Sequence, residues 1–367
     1  MQLKTDLLKN KQTISVTELE RYFQCPYLHF VDYGLKLSKD EVSDLTSIDN
    51  GNIIHAVLER FILYYNKCPQ LNDDQIKKIV SKIFDEILKL EEFERFQKTE
   101  KNRFSLKKLK AECVNACQAL VFQLSHSKYK VVFVEKSFGS KGFVENPEIA
   151  VLNKTIKVRG KVDRLDEWNG KYRIIDYKTS KNASEFSLLN LYLGKKIQLF
   201  FYLYSILEGL KKKGKNVSGG GVYYLPIHRD YGDGKLDSKY AGFRMEGLTV
   251  SNFSNIMATD DQFAENHLKS DIVDLSLLSS FKDGVVASLG NKLATDEQFD
   301  AILKYSNDVA TNAVKEIFEG FIEPKPLDDV CEYCNYKHIC KISCKENPQA
   351  RTKGFDIQTK TFKEIEK

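Results

Sequence analysis

Apolar positions recur at helical spacing through the first third of the chain. Ser15 and Glu18, three apart, read as a capping box that opens a short helix carrying Leu19, Tyr22 and Phe23, and Cys25-Pro26 closes it. Ile54, Val57, Leu58, Phe61 and Tyr65 share one face of a helix from about 52 to 65, and two more helices are predicted around 73–97 and 105–127. The period changes at Lys130. The runs VVFVEKSF, IAVL, TIKVRGKVDRLDEW, YRIIDYKT and GVYYLPI read as strands, with a helix over about 187–210 before the last of them. Residues 230–295 read as an insertion with a strand near Tyr240–Leu248, and a long helix follows from about Asp296 to Glu319. Helices, then strands, then helices predict an α/β architecture. Its parts are a helical region (14–128), an α/β core (129–228), the insertion (229–295), a closing helix with a cysteine-bearing end (296–344) and a tail (345–367).

Composition narrows the class. The 367 residues are 42% hydrophobic and 29% charged, ordinary for a globular chain and too apolar for a disordered one. No apolar run reaches the length of a membrane span, so none is expected. Met1 to Asn10 lacks the apolar stretch of a secretory signal, and a cytoplasmic location is expected. A net charge of +5 permits a nucleic-acid partner without implying one. Of the eight cysteines, Cys331, Cys334, Cys340 and Cys344 crowd into the last 37 residues, a clustering that suggests metal ligation rather than a disulfide framework.

The most informative stretch is Thr155 to Thr179. Asn169-Gly170 is a two-residue hairpin turn, because both central residues of the favoured turn need positive φ. With that turn at the centre, Asp163 faces Asp176 directly, their Cβ atoms about 5 Å apart. Lys178 projects from the same face as Asp176. Two like charges directly opposite destabilise a hairpin unless something compensates, and a divalent ion that accepts oxygen ligands, Mg²⁺ or Mn²⁺, would do so. A lysine beside that ion could stabilise transition-state charge or help activate water. A solvated hairpin with incidental charges is the competing reading; an aspartate placed after two isoleucines weighs against it.

Two further patterns bear on this site. Gln198 and Tyr202, four apart, share one face of an otherwise apolar helix, either as a satisfied structural pair or as functional groups. His55 lies in an apolar helix, where a histidine is most often structural, although imidazole is also the commonest nitrogen ligand for a metal.

Taken in order, Gly51-x-x-x-His55, Gly160-x-x-Asp163-Arg164, Asp176-x-Lys178 and Gln198-x-x-x-Tyr202 resemble the motif series of the RecB-type branch of the PD-(D/E)xK nucleases. The segment from Ser15 to Tyr27, with Cys25-Pro26, resembles the opening of the AddB-type nuclease domain of bacterial helicase–nucleases. Cys331-x2-Cys334-x5-Cys340 resembles its close. The likeness spans about residues 14 to 340. It implies a restriction-endonuclease-like mixed sheet flanked by helices, with an N-terminal helical region and a C-terminal iron–sulfur staple, forming one nuclease domain over 1–344. It implies a metal-dependent DNA exonuclease acting on single-stranded ends in double-strand-break repair, with DNA and a helicase–nuclease partner of AddA type, and no membrane. His55, Asp163 and Asp176 would be metal ligands with the Tyr177 carbonyl. Lys178 would be the catalytic lysine, and Gln198 and Tyr202 would position DNA or support that lysine.

The same resemblance assigns Cys25, Cys331, Cys334 and Cys340 to a 4Fe–4S cluster joining the two ends of the chain. Thiolates also suit zinc, and a local finger of Cys331, Cys334, Cys340 and Cys344 is the alternative. Cys113 and Cys117, four apart on a helix, read as core packing, and Cys68 as incidental. The run from Gly209 to Asn216 nearly matches a phosphate-binding loop but ends a helix and lacks the Ser/Thr that binds Mg²⁺, so it reads as a basic turn. The rivals to an AddB-type exonuclease are a RecB-like nuclease of CRISPR-associated or exonuclease V type, and an inactive iron–sulfur DNA-binding scaffold.

Overall fold

The computed structural model describes residues 11–37, 45–151, 153–179, 186–227, 240–265, 269–275, 281–282, 285–286, 292–327 and 330–340. Cys344, the tail from 345 and much of the anticipated insertion lie outside these residues.

A six-stranded mixed sheet forms the centre. Its strands are β2 (Lys130–Ser137), β5 (Lys161–Trp168), β6 (Lys171–Lys178), β7 (Ser218–Pro226), β8 (Glu246–Val250) and β9 (Leu293–Ala294), arranged β9-β8-β7-β6-β5-β2. β6 and β7 run parallel, joined through the helix α5 (Gln198–Lys212), while β2, β5 and β6 form an antiparallel run. A smaller sheet, β1 (Thr13–Ser15), β4 (Lys154–Arg159) and β3 (Glu148–Val151), stands beside it in the order β1-β4-β3. One face of the large sheet packs against α2 (Ser47–Tyr65), α3 (Asp73–Ile87) and α4 (Glu100–Ser125). The other carries α1 (Val16–Gln24), α5 and α6 (Asp296–Phe318). The alternation of β6 divides these layers: Ile174 joins one core, Ile175 and Tyr177 the other.

The hairpin register agrees with the turn. Asn169 and Gly170 have φ of 47° and 77°, and Arg164 pairs with Ile175, Leu165 with Ile174 and Asp166 with Arg173. A fully buried ion triad fixes that register: Arg164 Nε and Nη2 donate to Asp166 at 2.7 and 2.6 Å, and Arg173 Nε donates to it at 2.9 Å. Removing one member would leave a buried charge uncompensated.

A cap, a strand and the insertion differ from expectation, and the helices expected over 73–97 and 187–210 are each broken, at Ile87 and after Tyr192. Ser15 Oγ accepts from the Glu18 N–H, but the Glu18 carboxylate turns to His29 Nε2 at 3.0 Å and to Lys11 instead of completing a capping box. The run 155–168 is two strands in two sheets, broken at Gly160. A Cβ there would overlap the Tyr202 hydroxyl and ring, so only glycine lets the chain pass. The insertion is partly core, because β8 pairs with β7 and β9 with β8. Propensity could not show this, since the pairing is made across a long sequence gap.

Candidate active site

The β5–β6 ladder ends at Arg164–Ile175, just before the two aspartates come opposite each other. The Tyr177 N–H, released from the ladder, donates to Asp163 Oδ2 at 3.0 Å. In a strand the N–H and C=O of one residue face the same side, so the Tyr177 carbonyl also turns toward Asp163. Lys178 Nζ lies 2.5 Å from Asp176 Oδ2 and 5.4 Å from the centre of the Tyr224 ring. Burial alone would lower the lysine pKa, but the charge and contact of Asp176 outweigh it and the ammonium is held well protonated. Asp176 Oδ2 is buried and no donor meets hydrogen-bond geometry with it.

His55 reaches the same point from α2. Its Nδ1 lies 2.9 Å from Glu135 Oε1 and 3.5 Å from Asp163 Oδ2. Among the described residues His55, Glu135 and Asp163 are the one group whose ligand atoms all fall within 4.8 Å of one another. Glu135 is the residue that strand periodicity misses. Read as part of VVFVEKSF it is one more strand position, but its φ is 48° and its side chain is only 4% exposed. A non-glycine residue in that region costs on the order of 1–3 kcal/mol and persists only where the surroundings enforce it. A glutamate inside a strand otherwise rich in Val and Phe was the available signal.

Carboxylates this close cannot all ionise freely. Burial, and then the charge of Asp176, push Asp163 up to about 8. Burial alone would lower His55, but its hydrogen bond to Glu135 and the charges of Asp163, Glu135 and Asp176 raise it to about 9. Burial acts against Glu135 too, but its bonds to His55 and to Lys161, 2.5 Å away, keep it below the usual carboxylate range. The carboxylates of Glu135, Asp163 and Asp176 with the His55 imidazole are a donor set suited to Mg²⁺ or Mn²⁺.

α5 supplies the other two expected residues, and a carboxylate from α1 holds that helix in place. Gln198 opens α5, whose first turn has no cap from its own segment. Glu20 supplies one from α1: its Oε1 accepts the N–H groups of Ile197 at 2.8 Å and Gln198 at 3.0 Å. Burial raises the Glu20 carboxyl to about 7, against those bonds and the charge of Lys178. Glu20 also escapes sequence reading, because its partners lie 177 and 178 residues away. Gln198 and Tyr202 line the groove that contains Asp163, with Tyr202 buried against Gly160.

At the ends of the chain, the Leu327 N–H donates to the Gln24 carbonyl at 2.9 Å and the Tyr336 hydroxyl to Asp32 at 2.8 Å, so the cysteine-bearing end packs on the segment around Cys25. Burial raises the Cys25 thiol, offset in part by the nearby backbone N–H groups of Leu28, Lys325 and Tyr27, and Cys340 is near enough to influence it. Cys25, Cys334 and Cys340 are free thiols and Cys331 is disulfide-bonded. Cys113 and Cys117 are buried within the α2–α4 core. No helix among the described residues is long and apolar enough to cross a membrane.

Sequence comparisons agree with this geometry. The chain is 26% identical over 356 residues to the AddB component of the ATP-dependent helicase/deoxyribonuclease of Clostridium perfringens, covering 91% of the chain and 30% of that protein. It is 28% identical to the protein of the same name from Staphylococcus saprophyticus, covering 89% and 30%, and 26% identical to that of Staphylococcus aureus, covering 93% and 31%. The chain thus spans about a third of the length of these relatives. The profile of the PD-(D/E)XK nuclease superfamily matches residues 13–341, nearly the whole chain. With the facing aspartates, the lysine two residues on and the histidine from α2 gathered at one sheet end, the chain belongs to the PD-(D/E)XK nuclease superfamily.

Proposed function

We propose that this chain is a metal-dependent deoxyribonuclease that hydrolyses phosphodiester bonds as an exonuclease on single-stranded DNA ends, in double-strand-break repair alongside a helicase–nuclease partner of AddA type. One observation carries the reading: His55, Glu135, Asp163, Asp176 and Lys178, drawn from four elements, converge where β5 and β6 part. The relatives named as helicase/deoxyribonuclease components support DNA as the substrate.

His55, Glu135, Asp163 and Asp176, with the Tyr177 carbonyl, would hold Mg²⁺ or Mn²⁺. Such an ion supplies charge stabilisation at the phosphoryl group and a more acidic bound water. The chain contributes the rest. Asp163 and His55, both raised without an ion, would have to be deprotonated to serve as ligands. Lys178, kept beside Asp176, sets a fixed positive charge where negative charge develops. Gln198 orients the DNA strand at the start of α5. Tyr202 fills the space over Gly160, where the chain passes from one sheet to the other.

A 4Fe–4S cluster on Cys25, Cys331, Cys334 and Cys340 would join the chain ends. The N–H groups near the Cys25 sulfur suit a cluster thiolate. Cys331 would first have to leave its disulfide, since thiolates are the ligands.

End-labelled single- and double-stranded DNA, incubated with Mg²⁺ or with EDTA, tests the central claim. Cleavage should require the ion and be lost in Asp176→Ala with the fold intact. Full activity in a folded Asp176→Ala protein would refute it.

A further inference from the structure

A groove of about 740 Å³ is lined by Asp163, Gln198 and Tyr202 and extends well past them. From Asp163 it continues along Lys161 and Arg159 to Lys157. A neighbouring groove of about 600 Å³ shares Thr13 and Lys157 with it and carries on to Lys154. The strand pattern explains the row. Ile156, Val158 and Val162 turn inward, whereas Lys157, Arg159 and Lys161 are exposed. Residues two apart on a strand share a face and lie about 6.6 Å from one another, a step comparable with that between consecutive phosphates of an extended strand.

The row's partners are those of a phosphate site. Lys157 and Arg159 sit in register with Thr13 and Ser15 of β1, so cations and hydroxyls share one surface. Ser15 also begins α1, whose first turn, with Thr17, opens into the same groove. Glu148, the register neighbour of Lys157 on β3, makes no ion pair with it. Among the described residues neither Lys157 nor Arg159 has an ion-pair partner, whereas Lys161 is committed to Glu135. Two unpartnered cations in a groove that Asp163 also lines are placed for an anionic polymer.

We propose that Lys157 and Arg159 form a phosphate track that grips the backbone of one DNA strand beside the scissile bond and leads it to Asp163. This deepens the nuclease reading and rests on it. The row is one side chain wide and offers charges and hydroxyls, not an array for base edges. The track therefore takes a single strand without regard to sequence.

The test measures binding of a fluorescent single-stranded oligonucleotide by anisotropy in EDTA, over ~50–200 mM salt. The proteins are wild type, Lys157→Ala/Arg159→Ala, and a control, Lys107→Ala/Lys108→Ala, on the exposed side of α4. Each lost single-strand phosphate contact removes roughly 0.7 from the slope of log K against log salt, so the track variant should lose about 1.4 and the control nothing. The loss should be equal on homopolymer and mixed sequences, and KM for cleavage should rise with it. An unchanged slope, an equal change in the control, or a larger change on duplex than on single strand would overturn the track. A fall in kcat with KM and slope intact would do the same. Wild-type cleavage with Mg²⁺ is scored separately: a protein that binds DNA along the track but never cuts it refutes the nuclease reading alone.

Discussion

Loading of the metal site should release protons, and the structure sets how many. Without an ion, Asp163 stands at about 8 and His55 at about 9, the first raised chiefly by burial and Asp176, the second by its carboxylate partners. At pH 7 the pair therefore holds protons in large part, and a bound ion requires both groups deprotonated. Protons compete with the ion, so apparent affinity for Mn²⁺ or Mg²⁺ must rise with pH, steeply near neutrality and flattening above the His55 value. Between pH 7 and pH 9 the gain is on the order of 10²–10³-fold. Calorimetric titration with Mn²⁺ in two buffers of different ionisation heat counts the protons directly. Near two should be released per ion at pH 7, and near one in Asp163→Asn, which also weakens binding. Affinity that does not change from pH 7 to pH 9, or release of no protons in the wild type, would refute the assignment of these two side chains as protonated ligands of one ion.

Gly160→Ala should be costly, because its Cβ would meet the buried Tyr202 ring; overpacking of this kind costs about 1–3 kcal/mol, read as a lowered unfolding midpoint, and Gly160→Ala/Tyr202→Ala should recover part of it. Glu20→Ala leaves the N–H groups of Ile197 and Gln198 without their acceptor and should lower stability and activity together. The Glu20 carboxyl is raised by burial to about 7, so the stability it contributes is present below its unfolded value near 4.5 and lost as pH climbs through 7. Glu20→Gln keeps an acceptor without that charge, so its stability relative to wild type should improve from pH 5 to pH 8 in urea unfolding; a constant difference would count against the buried carboxylate. For the cysteines, Cys25→Ala should lose bound iron and stability while Cys344→Ala keeps both; metal analysis showing zinc retained in Cys25→Ala and lost in Cys344→Ala would establish the local finger instead.

What the chain determines locally could be read from its letters. The turn at Asn169-Gly170 needs two positive φ values, and a turn with a fixed residue count fixes the register of both strands, so the meeting of Asp163, Asp176 and Lys178 followed from adjacent sequence. The helices α2 and α6 declared themselves through apolar period, although the start of α2 at Ser47 lies a turn or more before the periodic run. Tertiary structure alone decided the rest. His55 and Glu135 stand 80 residues apart and meet only because α2 lies on the sheet beside β2. Glu135 was hidden because its left-handed backbone breaks the alternation that sequence reading assumes. Gly160 divided what the pattern joined, and the reason, the Tyr202 ring, comes from a helix well downstream. β8 was legible as a strand, but that it and β9 join the central sheet was decided by pairing across a long sequence gap. Glu20 completes α5 across the domain because a helix start leaves N–H groups unsatisfied, and the chain records that need but not which side chain will meet it.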